Sequence, residues 1–228
     1  MQDTRDRRRF LTQTGLLVSS LAISPSLALH AQQKDEEEDV SPVEDLMREH
    51  GLLNRVLMVY EACGRRIAAR SGFDPAVLNQ AAEIIKSFIE SYHEKLEEDH
   101  LFPRFERAGK LTDLVATLRK QHEAGRTVTA RILQATSGTG ARRRGAQVIR
   151  DINLFVRMYR PHEAREDTVL FPALHSIVSR NEYDAMGEDF EKKEHELFGK
   201  EGFEGMVDKV GELEKKLGIF DLAKFTPA

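Results

Sequence analysis

Apolar residues recur along this chain in steps of three and four, the period of a helix face, and few stretches alternate as a strand would. Ser41-Pro42-Val43-Glu44 reads as a helix start, with a cap, a proline in the first turn and a glutamate at the capping-box position. The helix it opens ends at Ser71-Gly72. Leu46, His50, Leu53 and Leu57 form its inward stripe. Asp74-Pro75 starts a second helix, with Leu78, Ala82, Ile85, Ile89, His93 and Leu96 inward and Gly109 just past its end. A third is expected from about Leu111 to Thr136, with Leu111, Val115, Leu118 and His122 on one face. Beyond the Ser-Gly break at 137–140, Val148, Ile152, Phe155, Tyr159, His162, Glu166 and Val169 trace a fourth. Pro161 lacks the N–H that would bond to residue 157, so a kink is expected there. Ser179-Arg180-Asn181-Glu182 is a capping box that opens a fifth helix to about Phe198, and a last helix runs to about Leu217. The pattern predicts an all-α, up-down-up-down four-helix bundle over 41–200, with a further C-terminal helix and tail over 201–228.

The inward stripes are not wholly apolar. His93 to Pro103 reads HEKLEEDHLFP, and His162 to Pro172 reads HEAREDTVLFP. A lone histidine precedes each phrase, His50 and His122, and the two copies are offset by 69 residues in the phrases and 72 in the lone histidines. This is the signature of a duplicated helical hairpin. Four residues along a helix turn about 400°, so His93 and Glu97 share a face, as do His162 and Glu166. In an antiparallel bundle the four histidines and the two glutamates converge at one level.

Such a seam is costly to bury. Each unpaired interior carboxylate costs several kcal/mol, and two would cancel much of a domain's net stability of roughly 5–15 kcal/mol. Metal cations offset this cost. Four imidazoles and two carboxylates suit a pair of first-row metals. The repeat suggests His50 and His93 on one ion, His122 and His162 on the other, and Glu97 and Glu166 bridging both. A solvent-derived bridge then leaves about one open place per six-coordinate ion for a small molecule. Glu94 and Glu163 also recur. Three readings stay open for them: extra ligands, partners of an imidazole N–H, or surface charges. Tyr92 and Tyr159 lie near the phrases, with packing as the plain reading and a hydrogen-bond or redox role as the other. His100, His175 and His195 have no repeat partner and read as surface or packing residues.

Composition narrows the picture further. The chain has 228 residues, enough for a sizeable core, and a net charge of −4. Residues 1–31 hold four Arg and two Asp, a net of +2, which leaves −6 for the rest, so no basic face for nucleic acid is expected. The Arg142–Arg144 run reads as a solvated helix start. Cys63 is the one cysteine, so no intramolecular disulfide forms, and its place in an apolar stretch reads as a buried small residue. Arg7-Arg8-Arg9-Phe10-Leu11 resembles a twin-arginine signal, followed by a short apolar stretch and small residues suited to cleavage at 26–31. Residues 1–31 are therefore expected to be an export signal that sends a folded chain to the periplasm or beyond. Residues 32–40 are an acidic, disordered linker, and no membrane span is expected in the mature chain.

Residues 44–200 resemble the hemerythrin-like, or HHE cation-binding, family. The resemblance implies a four-helix bundle around a non-haem di-iron centre held by His50, His93, Glu97, His122, His162 and Glu166. Manganese and zinc suit the same donors. Oxygen-carrying members have a further histidine one turn after the third-helix histidine, where this chain has Arg126, and an aspartate where it has Asp167. The repeat favours Glu166 as the ligand. The missing histidine weakens reversible oxygen carriage as the function. The implied role is binding or sensing of oxygen or nitric oxide, or handling of iron. The alternative is a di-iron enzyme acting on peroxide, oxygen or nitric oxide, and no redox-partner motif is visible.

Overall fold

The computed structural model describes residues 40–72, 74–137 and 145–227. The stretch expected to be an export signal, nearly all of the expected acidic linker and the Arg142–Arg144 run lie outside these residues. Ser41 caps α1 (Pro42–Ala68) by accepting from the Glu44 N–H at 3.2 Å. Asp74 caps α2, accepting from the Ala76 N–H at 2.9 Å. This second helix is α-helical over Pro75–Ile84, π-helical over Ile85–His93, and α-helical again over Glu94–Leu96. A second π segment, Glu97–Leu101, leads into a last α segment, Phe102–Ala108. Gly109, at φ +62°, ends it. α3 (Thr112–Thr136) follows after a tight turn, and α4 runs over Gly145–Arg165. A π segment, Glu166–Leu170, and a short α segment, Phe171–Leu174, continue α4. α5 (Arg180–Phe198) opens on the expected capping box at Ser179, and α6 (Gly202–Leu217) completes the main elements.

α1 packs on α2, α2 on α3, α3 on α4, and α4 back on α1, which closes a four-helix ring. The inward stripes form its core, with Tyr60, Phe88, Phe102, Phe105, Phe155 and Phe171 fully buried. α5 and α6 pack on each other and on α1. Arg55 binds Glu214 through two nitrogens at 3.0 and 2.7 Å, and Arg66 donates to the Leu217 carbonyl at 2.6 Å, tying α6 to α1. Among the described residues, no helix is long and apolar enough to cross a membrane.

α4 is α-helical through Pro161, the position where a kink is expected. Pro161 is exposed, so water can serve the Arg157 carbonyl that proline leaves without a donor. The ladder widens over Ile85–His93 and, within the repeated phrase, in π turns at Glu97–Leu101 and Glu166–Leu170. Each of the two turns in the phrase stands just before a Phe-Pro pair, where a wider turn moves away the carbonyl that the proline ring would strike.

Candidate metal centre

The ring brings all six sequence-selected side chains to one level. His50, His93, His122 and His162 are at most 4% exposed, and Glu97 and Glu166 are 0% exposed. The Nε2 atoms of His50 and His93 lie 3.1 Å apart, and those of His122 and His162 lie 3.2 Å apart. Glu97 reaches both pairs, with Oε1 at 3.9 Å from His93 Nε2 and Oε2 at 3.4 Å from His122 Nε2. Glu166 does so through one atom, Oε2, at 3.4 Å from His50 and 3.1 Å from His162. The pairs are those the repeat implies, with a carboxylate spanning them on either side.

The residues behind the imidazoles set their tautomers. His50 Nδ1 lies 2.7 Å from Asp167 Oδ1, His93 Nδ1 2.7 Å from Glu49 Oε2, and His122 Nδ1 3.1 Å from Glu98 Oε1. His162 Nδ1 lies 2.8 Å from Gln121 Oε1. A carboxylate only accepts, and so does an amide oxygen, so each Nδ1 carries the proton and donates. The four Nε2 atoms of the neutral rings are then bare acceptors facing one another and the carboxylates. None of the four oxygens of Glu97 and Glu166 meets hydrogen-bond geometry with any group, although all are buried. Eight acceptor atoms converging in the interior with no donor among them fit a cation, and a pair of cations most simply.

These four partners form a cycle. Glu49 on α1 serves α2, Glu98 on α2 serves α3, Gln121 on α3 serves α4, and Asp167 on α4 serves α1. Each stands one residue from its own helix's site residue: Glu49 before His50, Gln121 before His122, Glu98 after Glu97 and Asp167 after Glu166. Sequence reasoning did not single out Glu49, Glu98 or Gln121 for this role, and it weighed Asp167 only as a rival ligand. The signal was that adjacency, repeated four times. The recurring Leu-Phe-Pro also gains a purpose. Phe171 stacks on His50 and Phe102 on His122, each at 5.5 Å between ring centres, and these rings shut one side of each imidazole from water.

Protons alone serve this cluster poorly. Burial pulls His50 down, but Asp167 and Glu166 outweigh it and raise the imidazole to about 10. Burial and the neighbouring His50 charge push His93 down to about 3. Burial and the Glu166 charge push Glu97 far above the usual carboxylate range. Against the opposing push of burial, His162 and His50 hold Glu166 below that range. Without a cation, one bridge is forced neutral and one imidazole of the first pair is forced charged.

Glu94 and Glu163 are 1% and 3% exposed, so they are not surface charges. Neither holds an imidazole N–H. Glu94 accepts from Tyr159 Oη at 2.6 Å and pairs with Arg126 Nη2 at 2.8 Å. Glu163 accepts from Asn54 Nδ2 at 2.5 Å, while its Oε1 is buried without a hydrogen bond. Burial raises Glu163 to about 8. Arg126 also binds Glu98, at 2.6 Å. Tyr92 is buried and donates to Glu194 at 3.2 Å. His100 is half-buried against Phe190, and His175 and His195 are exposed. Cys63 is buried, its thiol pushed up to about 12 by burial.

The profile of the hemerythrin HHE cation binding domain matches residues 41–174, which contain all six inward side chains. The chain is 48% identical over 196 residues to the uncharacterized protein Rv1995 of Mycobacterium tuberculosis and to the uncharacterized protein Mb2018 of Mycobacterium bovis. Each of these alignments covers 85% of this chain and 77% of the relative. No solved structure matches it.

Proposed function

Because the chain belongs to the hemerythrin HHE cation-binding family, we propose that it holds two iron ions between its hairpins and binds a small diatomic ligand there. His50 and His93 would serve one ion, His122 and His162 the other, with Glu97 and Glu166 shared. The observation that carries this reading is the set of four bare Nε2 atoms and four unpartnered carboxylate oxygens, all buried together. Two imidazoles and two shared carboxylates leave each ion short of six ligands, so a diatomic molecule finds a place. Bound iron supplies electrons and an open coordination position. The chain supplies a water-poor wall from Phe102 and Phe171 and a fixed imidazole geometry. Arg126 stands where oxygen carriers place a further histidine, and it is engaged with Glu94 and Glu98. That favours sensing or scavenging over reversible carriage. A second reading, a di-iron enzyme acting on peroxide, oxygen or nitric oxide, draws on the acidic groups Glu94 and Glu163 buried beside the ligands. We also propose that residues 1–31 direct export by the twin-arginine route.

Elemental analysis of chain purified without a metal-affinity column should find two irons per chain. Stopped-flow spectra of the reduced protein mixed with oxygen then separate the readings. A stable charge-transfer band supports binding, and rapid decay with repeated turnover supports the enzyme. A chain that retains fewer than two metals after iron loading sinks the paired centre.

A further inference from the structure

Tyr159 is a buried phenol that neither the bundle nor the binding of two ions requires. It is 1% exposed, and its Oη donates to Glu94 Oε1 at 2.6 Å. Its ring stacks on Phe155 at 4.3 Å and lies 5.4 Å, centre to centre, from the ring of His162. α3 gives up a side chain for this arrangement. A Cβ at Gly125 would stand 2.1 Å from Tyr159 Oη, so only glycine fits. Glycine in a helix interior costs about 1 kcal/mol against alanine. The same Cβ would stand 2.9 Å from two carbons of the ring, so the slot admits ring and hydroxyl together. What phenylalanine would lack there is the hydroxyl, and the hydroxyl serves Glu94. Glu94 is itself fixed by Arg126 at 2.8 Å, so its Oε1 stays aimed at the phenol.

This places an oxidisable ring against a candidate ligand and a base within hydrogen-bond reach of its proton. Removing an electron alone would leave a cation in an apolar wall, which is costly unless the proton leaves too. We propose that Tyr159 is a one-electron donor to the metal pair, with Glu94 as the acceptor of its phenol proton. The inference rests on reading the centre as an iron pair. The O–H bond of Tyr159 breaks, the proton goes to Glu94 Oε1, the electron leaves by way of the His162 contact, and a neutral tyrosyl radical remains. The oxidant is a hydroperoxide. Hydrogen peroxide takes two electrons and two protons to give two waters. A half-reduced pair holds one of those electrons as iron(II), and Tyr159 supplies the other. The phenol proton stays on Glu94, so both protons that complete the two waters come from solvent.

The test uses full-length iron-loaded chain, poised half-reduced, mixed with hydrogen peroxide and frozen for electron paramagnetic resonance. The expected result is an organic-radical signal that narrows when the chain is grown with ring-deuterated tyrosine. Tyr159→Phe should lose the signal while keeping its iron. Glu94→Gln, which leaves the phenol in place without a base, should lose it too. An undiminished radical in Tyr159→Phe, or none in a wild-type chain that holds two irons, overturns the role of Tyr159 alone. A chain that holds no iron overturns both this role and the iron-pair reading.

Discussion

Behind His50 and His93 stand two carboxylates, Asp167 and Glu49. Behind His122 and His162 stand Glu98 and Gln121. Gln121 is neutral, and Glu98 is already bound by Arg126 at 2.6 Å and Lys95 at 3.1 Å. Against the opposing push of burial, His122, Arg126 and Lys95 draw Glu98 down to about 2, so it is charged but compensated. The duplication is therefore near-symmetric in the side chains that face inward and unsymmetric in those that hold them. A hydrogen bond to a carboxylate makes an imidazole a stronger donor to a cation than one to an amide. The two proposed cation positions should differ in affinity, the first being the tighter, although each pair presents two imidazoles and faces the same two glutamates.

The largest effect should come from the shared members, which abolish the comparison altogether. Glu97→Ala and Glu166→Ala each take a ligand from both halves. Each should weaken metal binding by more than the roughly 10–100-fold that losing a supporting partner costs. Metal analysis after dialysis checks this, and a variant that keeps two ions per chain ends the bridging role. The metal-free Glu97→Ala protein should move the other way. Burial and the Glu166 charge disfavour the Glu97 carboxylate, so its removal relieves a cost of roughly 1–3 kcal/mol and should raise the melting temperature above that of apo-wild type, whereas Glu166→Ala takes the partner from the charged His50 and should not.

A smaller change separates the halves. Asp167→Asn replaces the carboxylate behind His50 with an amide, and Gln121→Glu makes the reverse change behind His162. The first should cost the His50–His93 position roughly 10-fold in affinity, and the second should strengthen its counterpart by a similar factor. Calorimetric titration of metal into apo-protein should show two unequal steps in wild type and nearly equal steps in either variant. Identical steps in all three proteins would mean that the holders do not differentiate the positions.

The contrast between faces and holders also explains how much the sequence disclosed. Helical period placed Leu53, Ile89, Leu118 and Phe155 in the core, and all four are buried. It also put His50, His93, His122 and His162 on the same inward stripes, because a face is a property of one helix. The cycle of holders was harder to see. Glu49 belongs to α1 but serves α2, and its partner is fixed only when the helices are set side by side. The π turns at Glu97 and Glu166 were hidden for a similar reason. They follow from passing Pro103 and Pro172 inside a packed bundle, and period alone reads those stretches as α-helix. Glu94 and Glu163 stayed undecided because their partners, Arg126 and Asn54, come from neighbouring helices.

Glu163 offers the finest test of the asymmetry. Its repeat mate Glu94 has the Arg126 cation, while Glu163 has only the Asn54 amide and an unbonded Oε1. Burial therefore lifts Glu163 to about 8, against an ordinary value near 4.3 in an unfolded chain. Between those values the folded protein keeps a proton that the unfolded chain has lost. Its contribution to stability is full below about pH 4 and declines as pH rises through 8. Metal-free protein should lose stability over that window, by at most a few kcal/mol from this group. Glu90, raised to about 7 chiefly by burial, adds to the same slope, so the informative quantity is the difference between proteins. Glu163→Gln should flatten the fall in melting temperature between pH 5 and pH 8 without removing it, leaving the part due to Glu90. If wild type and Glu163→Gln melt in parallel across that range, Glu163 is ionised in the fold and its charge is compensated in some other way.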